Sequence, residues 1–381
     1  MSDNQGVDVV ILGSAHPLRG GLANYNHRLA QAYRQQGKSV KIITFSLQYP
    51  SFLFPGKTQY SDEPPPEGLD IAVELNSVNP LSWIKVGRMI KKLKPGLLII
   101  KFWIPFMGPS LGTVARIARK NGFTKVVSII DNIIPHEKRP GDKALAAYFV
   151  KYVDGFITMS ESVMSDLKTF TTSKPAIFTP HPVYDNFGAI VEKDQARSRL
   201  GLDENGRYIL FFGFIRDYKG LDLLLLAMAD ERVRALGIKA IVAGEFYTDR
   251  APYDKIIEEN NLGDSLVMAT DFIPDSKVGL YFSAADLVVQ PYKDATQSGV
   301  TQVAYSFEKP MVVTNVGGLA EIVPHGKAGY VVDVDVKEIA SAIVDFYSGN
   351  REAEMVSFCR QEKKKYSWET LLDKINELKI N

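Results

Sequence analysis

The residues best suited to chemistry lie in three short turns. One, Thr296-Gln297-Ser298-Gly299, follows the apolar stretch 287–289 and opens directly into a helical pattern over 300–307. Another, Gly317-Gly318 with Glu321 close behind, follows the apolar stretch 310–314. Small residues at a strand-to-helix turn expose backbone N–H groups at the positive end of the helix dipole. Two such turns side by side are expected to receive an anion such as a diphosphate. The third turn, Phe214-Ile215-Arg216-Asp217-Tyr218-Lys219-Gly220, brings two cations to the end of the stretch 208–213. Arg216 and Lys219 would neutralise charge growing on a diphosphate leaving group; without the glycine turns they would read equally well as solvated loop cations. Near the start, His16-Pro17-Leu18-Arg19-Gly20-Gly21 also precedes a helix, and Gly20 and Gly21 allow close backbone approach to a ligand. The GxGxxG spacing of a dinucleotide fold is absent around Gly13.

These turns need strands and helices to hold them. Residues 7–12 form a continuous apolar run, as expected of a strand buried on both faces, and Leu22, Tyr25, Leu29 and Tyr33 then share one helical face. Further strands are expected at 40–45, 97–101, 126–130, 155–159 and 176–179, and a second series at 208–213, 239–243, 266–268, 287–289, 310–314 and 329–332. Alternating strands and helices in two series predict an α/β protein with two Rossmann-like, doubly wound parallel-sheet domains. The join is placed at Pro180-His181-Pro182, giving domains over 1–185 and 186–365. His181 reads more simply as a structural residue of that join than as a site residue. Residues 46–70 form a long insertion rich in aromatics and proline, either a self-packed surface loop or a functional one.

Composition narrows the partners. The chain has 381 residues, 45% apolar and 23% charged, with a net charge of +1. That balance hides an asymmetry: residues 1–185 carry 22 Lys/Arg against 14 Asp/Glu, and residues 186–381 carry 23 against 30. The basic half suits a phosphorylated substrate or an anionic membrane surface, and it lacks the interleaved aromatic and basic pattern of a nucleic-acid platform. One cysteine, Cys359, permits no intrachain disulfide, and neither a secretory leader nor an apolar run of membrane-spanning length is visible, so a cytoplasmic protein is expected. No His/Cys cluster has metal-ligand spacing, and neither a metal nor another cofactor is expected. Asp333-Val334-Asp335 looks like an Asp-x-Asp metal motif, but its place before a helix makes a capping turn the simpler reading. Residues 83–94 are basic and amphipathic; they either pack on the sheet or lie against an anionic bilayer, with the loop Phe102-Trp103-Ile104-Pro105-Phe106-Met107 dipping alongside.

The order of these motifs resembles a family. Gly20-Gly21, FFGFIRDYKG over 211–220, Ser160-Glu161-Ser162, Asp271-Phe272-Ile273-Pro274, 281–286, PYKDATQSGV over 291–300, the Gly317-Gly318 turn and Tyr366-Ser367-Trp368 are together similar to the retaining glycosyltransferases of family 4. The resemblance covers nearly the whole chain. It implies a GT-B fold, two Rossmann-like domains facing across a cleft, with the last helix, about 366–381, packing back on the first. It further implies metal-independent, retaining transfer of a sugar from a UDP- or GDP-linked donor to a glycan or lipid-linked acceptor. The acceptor would lie on the N-terminal domain, and the setting would be cell-surface polysaccharide or glycoconjugate synthesis at the inner face of the membrane. Carried over by position, Lys219 and Arg216 hold the donor diphosphate with Gly20 and Gly21. Ser298, Gly299, Val300 and Thr301 offer the phosphate turn, Gly317, Gly318 and Glu321 line the donor pocket, and Phe272 and Ile273 lie near the base.

The chain departs from that pattern in three places. The family's two glutamates, eight residues apart, fall on Ala295 and Val303; Asp294 and Gln302 keep the separation one position earlier. The family's phosphate arginine falls on Phe214, leaving Arg216 for that role. Its active-site histidine falls in Asp131-Asn132, making Asp131 and the nearby His136 the candidates there. No nucleophile and base pair is legible, and a retaining transferase of this kind is thought to need none, because the departing diphosphate oxygen can take the acceptor's proton. Two alternatives stay open: a degenerate transferase-like binding subunit, favoured by the missing glutamates, and a sugar-nucleotide epimerase, which would turn over donor without acceptor.

Overall fold

A computed structural model describes residues 6–51, 54, 57–135, 139–296 and 298–380. The chain forms two contact-dense units: Met1–Pro182 with Trp368–Asn381, and Val183–Ser367. Each is built on one all-parallel sheet.

In the first unit the strands are β1 Val9–Leu12, β2 Val40–Leu47, β3 Asp70–Asn76, β4 Leu97–Phe102, β5 Lys125–Ile130, β6 Gly155–Thr158 and β7 Ala176–Phe178. Their order is β3-β2-β1-β4-β5-β6-β7. The central strands are mostly apolar because helices cover both faces, and every residue of β1 is apolar and buried. β3 was not expected. It lies at the sheet edge and is mostly exposed or half-buried, with Asp70, Glu74 and Asn76 in its length, so it lacks the apolar signature of its neighbours.

The second unit contains β8 Arg207–Phe212, β9 Ile238–Ala243, β10 Leu266–Ala269, β11 Leu287–Gln290, β12 Met311–Thr314 and β13 Gly329–Val332. Their order is β10-β9-β8-β11-β12-β13. In both sheets the order reverses beside the first strand of the series. In such sheets that switch point is where the C-terminal strand ends splay into a crevice for a ligand.

The helices that matter most are α1 Gly21–Gln35, α2 Pro80–Leu93 and α3 Gly108–Ala118 in the first unit, and helix Gly299–Ser306 in the second. α2 starts at Asn79, whose side chain accepts from the Leu81 N–H, with Pro80 in the first turn. The last helix, Trp368–Glu377, buries Trp368, Leu371, Leu372 and Ile375 and packs on α1. Asp335 caps the helix Val336–Ser348, accepting from the N–H groups of Lys337 at 2.8 Å and Glu338 at 3.0 Å, so the Asp333–Asp335 segment is a helix start.

The structure bears on two surface loops. Residues 57–63 pack onto the glycine turn before α1: the Arg19 N–H donates to the Gln59 carbonyl, the Ser61 N–H donates to the Pro17 carbonyl, and His16 Nε2 lies 3.2 Å from the Glu63 carbonyl. The loop after β4 does not project. Phe102, Pro105 and Met107 are buried, and Trp103, Ile104 and Phe106 pack against the core. Its apolar residues complete the core over α3, and none is exposed to dip into a bilayer.

Candidate functional site

In the second unit the C-terminal ends of β8, β11 and β12 converge on one constellation. After β8 the chain turns at Gly213, whose φ of +100° suits glycine. Lys219 Nζ lies 3.0 Å from the place a Cβ at Gly213 would occupy, and Val300 lies 3.7 Å from it. The missing side chain thus leaves the ammonium room beside the first turn of helix Gly299–Ser306. Lys219 makes no ion pair among the described residues. Its ammonium lies 5.4 Å from the Tyr292 ring centroid. Burial pulls its pKa below that of an ordinary lysine, and the nearby Arg216 guanidinium adds to the fall. A desolvated cation at a helix N-terminus, with no carboxylate to neutralise it, is a site that an anion would complete.

The turn before helix Gly299–Ser306 is fixed from below. Gln290, at the end of β11, accepts from Ser298 Oγ at 2.7 Å and Thr301 Oγ1 at 3.1 Å. The Ser298 hydroxyl is thereby turned away from the helix start, and that side chain caps none of the helix N–H groups. Tyr292 hydroxyl lies 3.3 Å from the same oxygen, and Thr314 Oγ1 donates to the Tyr292 carbonyl at 2.5 Å, tying β12 to the turn. Burial pushes the Tyr292 phenol up to about 12. The two glycine turns touch: the Gly318 N–H donates to the Thr296 carbonyl at 3.1 Å, and a Cβ on Gly317, at φ +49°, would stand 1.6 Å from the Ala295 carbonyl oxygen. Only glycine fits there.

Beside the cations stands an aromatic group that sequence reading did not assemble. Phe214 stacks on Tyr247 at 4.3 Å and faces Phe272 at 6.2 Å, while Arg216 lies 5.3 Å from the Tyr247 ring centroid. The segments are held together by the Tyr247 N–H donating to the Ile215 carbonyl. The expected donor residues Phe272, Arg216 and Lys219 thus join one surface with Ser298, Gly299, Val300 and Gly317. Ile273 adjoins Phe272 in the loop after β10. Gly318 caps the start of the short helix Leu319–Ile322, and Glu321 lies within that helix, exposed.

Asp294 and Gln302 diverge. Asp294 is exposed, whereas Gln302 is fully buried, with neither amide atom hydrogen-bonded among the described residues. Thr301 is equally buried and is occupied by Gln290. The positions of the family's glutamates, Ala295 and Val303, are apolar and buried.

In the first unit, Gly20 precedes α1 at φ +98° and Gly21 is its first residue. Their turn hangs on a buried polar network: the Ala15 N–H donates to Thr44 Oγ1 at 2.8 Å, the His16 N–H to His27 Nε2 at 2.9 Å, and Asn26 Nδ2 to the Ser14 carbonyl at 2.8 Å. As the acceptor, His27 Nε2 carries no proton, and burial with the nearby His16 lowers its pKa to about 4. Asp131 stands just past β5 and pairs with Lys101 of β4 at 2.7 Å. His136 lies outside the described residues, as does Gln297.

Residues 206–348 match the family described as glycosyl transferases group 1. A D-inositol 3-phosphate glycosyltransferase of Corynebacterium urealyticum is 26% identical over 256 residues, 64% of this chain and 60% of that protein. A lipopolysaccharide 1,2-N-acetylglucosaminetransferase of Salmonella typhimurium is 28% identical over 196 residues, 49% of this chain and 51% of that one. The chain thus spans about 60% or less of the length of these curated relatives. Among solved structures, sucrose-phosphate synthase from Thermosynechococcus elongatus has a TM-score of 0.73 at 16% identity, covering 97% of this chain and 98% of that one. Anabaena HepE in complex with UDP-glucose has a TM-score of 0.71 at 16% identity, with the same coverage. The glycine turns of the second unit fall inside the matched domain, and the two parallel sheets are of the Rossmann-like kind found in these GT-B neighbours: residues 206–348 form a domain of the glycosyl transferases group 1 family.

Proposed function

We propose that the protein is a retaining glycosyltransferase that takes a sugar from a UDP- or GDP-linked donor held by the second unit. The single observation that carries this reading is Lys219: a desolvated cation with no ion-pair partner among the described residues, set beside the uncapped start of helix Gly299–Ser306. A donor diphosphate would supply the missing anion, and Arg216 would add a second cation as charge develops on the leaving group. The Phe214, Tyr247 and Phe272 rings suit a nucleotide base. In this reading the leaving diphosphate oxygen accepts the proton of the incoming hydroxyl, so no separate general base is required in the second unit. A structural neighbour of the chain was solved with UDP-glucose, which supports a sugar nucleotide as the donor.

The acceptor in this reading is a glycan or a lipid-linked sugar bound by the first unit, which carries the excess of basic residues. Lys85, Arg88, Lys91 and Lys92 of α2 are exposed, α2 packs on α3, and Arg116, Arg119 and Lys120 extend the charge, with Leu81 and Phe123 also exposed. Such a surface suits an anionic membrane where lipid-linked acceptors lie, each cation contributing on the order of 1 kcal/mol. No helix among the described residues is long and apolar enough to cross a membrane. Sedimentation with anionic vesicles at low salt is expected, and its absence removes the membrane from the reading.

The deciding experiment is thermal-shift binding of UDP, GDP, ADP and their sugar conjugates. One nucleotide should raise the melting temperature, and Lys219→Ala should sharply reduce the rise. No shift at millimolar concentration with any of them overturns the phosphate site. Buried Ala295 and Val303, where relatives of this family place glutamates, favour a second reading as a binding subunit without turnover. Donor binding with neither transfer nor hydrolysis would select it.

A further inference from the structure

The first unit contains a buried cation with a different arrangement from Lys219. Lys101 is 1% exposed, at the C-terminal end of β4. Its ammonium lies 2.7 Å from Asp131 Oδ1 and 3.5 Å from the centroid of the Tyr25 ring of α1. That ring is itself held, with His181 meeting it edge-on at 5.1 Å and Trp368, from the last helix, tilted against it at 5.1 Å. Arg28 lies 5.2 Å over Trp368. The ammonium is therefore clamped between a carboxylate and an aromatic face, and has little freedom to go elsewhere.

Asp131 differs from Lys101 in one respect: 22% of its side chain remains exposed. It is anchored from the inside and open on the outside. We infer that Lys101 is the positioning residue that holds Asp131 as an anionic hydrogen-bond acceptor aimed at a hydroxyl of the bound substrate. The inference rests on the glycosyltransferase reading for the identity of that hydroxyl, but the pairing of Lys101 with Asp131 can be tested without it.

The surrounding groups agree with a fixed anion. Burial raises the Asp131 carboxyl and lowers the Lys101 ammonium from their ordinary values, and the charge of each partner holds back part of the other's shift. Among the described residues, Tyr25 and His181 are the other titratable side chains packed on the pair, with Arg28 beyond Trp368. His181 donates its Nδ1 proton to the Pro182 carbonyl at 2.6 Å, and burial with the Lys101 charge lowers its pKa to about 3. It stays neutral and offers Asp131 no competing cation. Among the described residues, Lys101 is the cation that favours the ionised form of Asp131 against the effect of burial.

The test is a 13C NMR titration of carboxyl-labelled aspartate, with the Asp131 signal identified by its loss in Asp131→Asn. It is run with steady-state consumption of whichever of UDP-glucose and GDP-mannose the wild type turns over. Lys101→Met should raise the Asp131 midpoint by about one pH unit or more. The acid limb of kcat should move with it, while donor KM stays within about twofold because the donor site lies in the other unit. Lys101→Arg should keep the midpoint and recover part of the rate; Lys101→Gln is the second uncharged variant should Lys101→Met fail to fold. An unchanged Asp131 midpoint in the uncharged variants overturns the inference, as does a shifted midpoint with an unmoved acid limb. If the wild type binds no nucleotide, the glycosyltransferase reading falls, and the NMR titration alone decides the Lys101–Asp131 pairing.

Discussion

The two units use the same parallel sheet to opposite electrostatic ends. In the first, the cation at the strand ends, Lys101, is neutralised by Asp131 and closed in by Tyr25, His181 and Trp368. In the second, Lys219 is desolvated without an ion-pair partner among the described residues, at the start of an uncapped helix. A satisfied charge makes a rigid fixture, and an unsatisfied one makes a receptor. The difference lies in sequence economy: the second unit uses short glycine and serine turns that leave backbone N–H groups exposed, whereas the first ties its corresponding turn down with Thr44, His27 and residues 59–63.

The largest expected effect breaks the second unit's receptor at its hinge-free centre. Gly317→Ala sets a methyl group 1.6 Å from the Ala295 carbonyl, at a φ of +49° that L residues resist. It should destabilise this unit by about 3 kcal/mol or more and abolish nucleotide binding, read by calorimetric melting and thermal shift. The first unit should keep its own melting behaviour.

A comparable effect, confined to the other unit, should come from acid. His27 and His181 are neutral in the fold, with pKa values lowered from 6.5 to about 4 and about 3. Between those values and 6.5 the unfolded chain binds more protons than the folded one. The stabilisation is therefore complete above pH 6.5 and is lost as pH falls toward 4 and then 3, a change on the order of a few kcal/mol per histidine. The second unit has a single histidine, exposed His325. Hydrogen exchange from pH 7 to pH 4 should show the first unit opening before the second; simultaneous opening would remove the contrast.

Next in size is Lys219→Ala. Losing one desolvated charge contact to a phosphate should weaken binding of the nucleotide by roughly 30- to 150-fold, about 2–3 kcal/mol, with the melting temperature of the free protein nearly unchanged. Raising pH should weaken wild-type binding at lower pH than an ordinary lysine would, because the Lys219 pKa is lowered. Isothermal titration measures both. The smallest expected effect is a control: Asp335→Ala removes the cap of helix Val336–Ser348 and should cost about 1 kcal/mol of stability without altering nucleotide affinity.

Legibility followed burial. β1, β4, β5 and β8 could be read because a strand covered on both faces must be apolar along its length. β3 escaped because an edge strand carries no such demand, and Asp70 and Glu74 look like loop residues when the partner strand is unseen. At the site, the glycine turns and the two cations were visible as local motifs. Phe214 was visible only as a missing arginine; its stacking on Tyr247 and Phe272 joins segments from three separate loops, and no local spacing encodes that. Lys101 carried one signal that could have been used, a charged residue near the end of an apolar strand, which burial makes costly unless a partner exists.

The sequence by itself determined the two parallel sheets, the alternation of strand and helix, and the glycine turns at the strand ends. Those properties depend on residues within a few positions of each other, where periodicity, glycine and helix polarity act directly. Only the tertiary structure decided which charges are satisfied. Lys101 and Asp131 are 30 positions apart and meet because β4 and β5 are neighbours in the sheet, placing Phe102 beside Ile130. Among the described residues Lys219 has no ion-pair partner; what the fold sets beside it is the Tyr292 ring and, across Gly213, the first turn of helix Gly299–Ser306. Whether a cation is a fixture or a receptor depends on what the fold sets within a few ångströms of it, because desolvated charges interact strongly at short range.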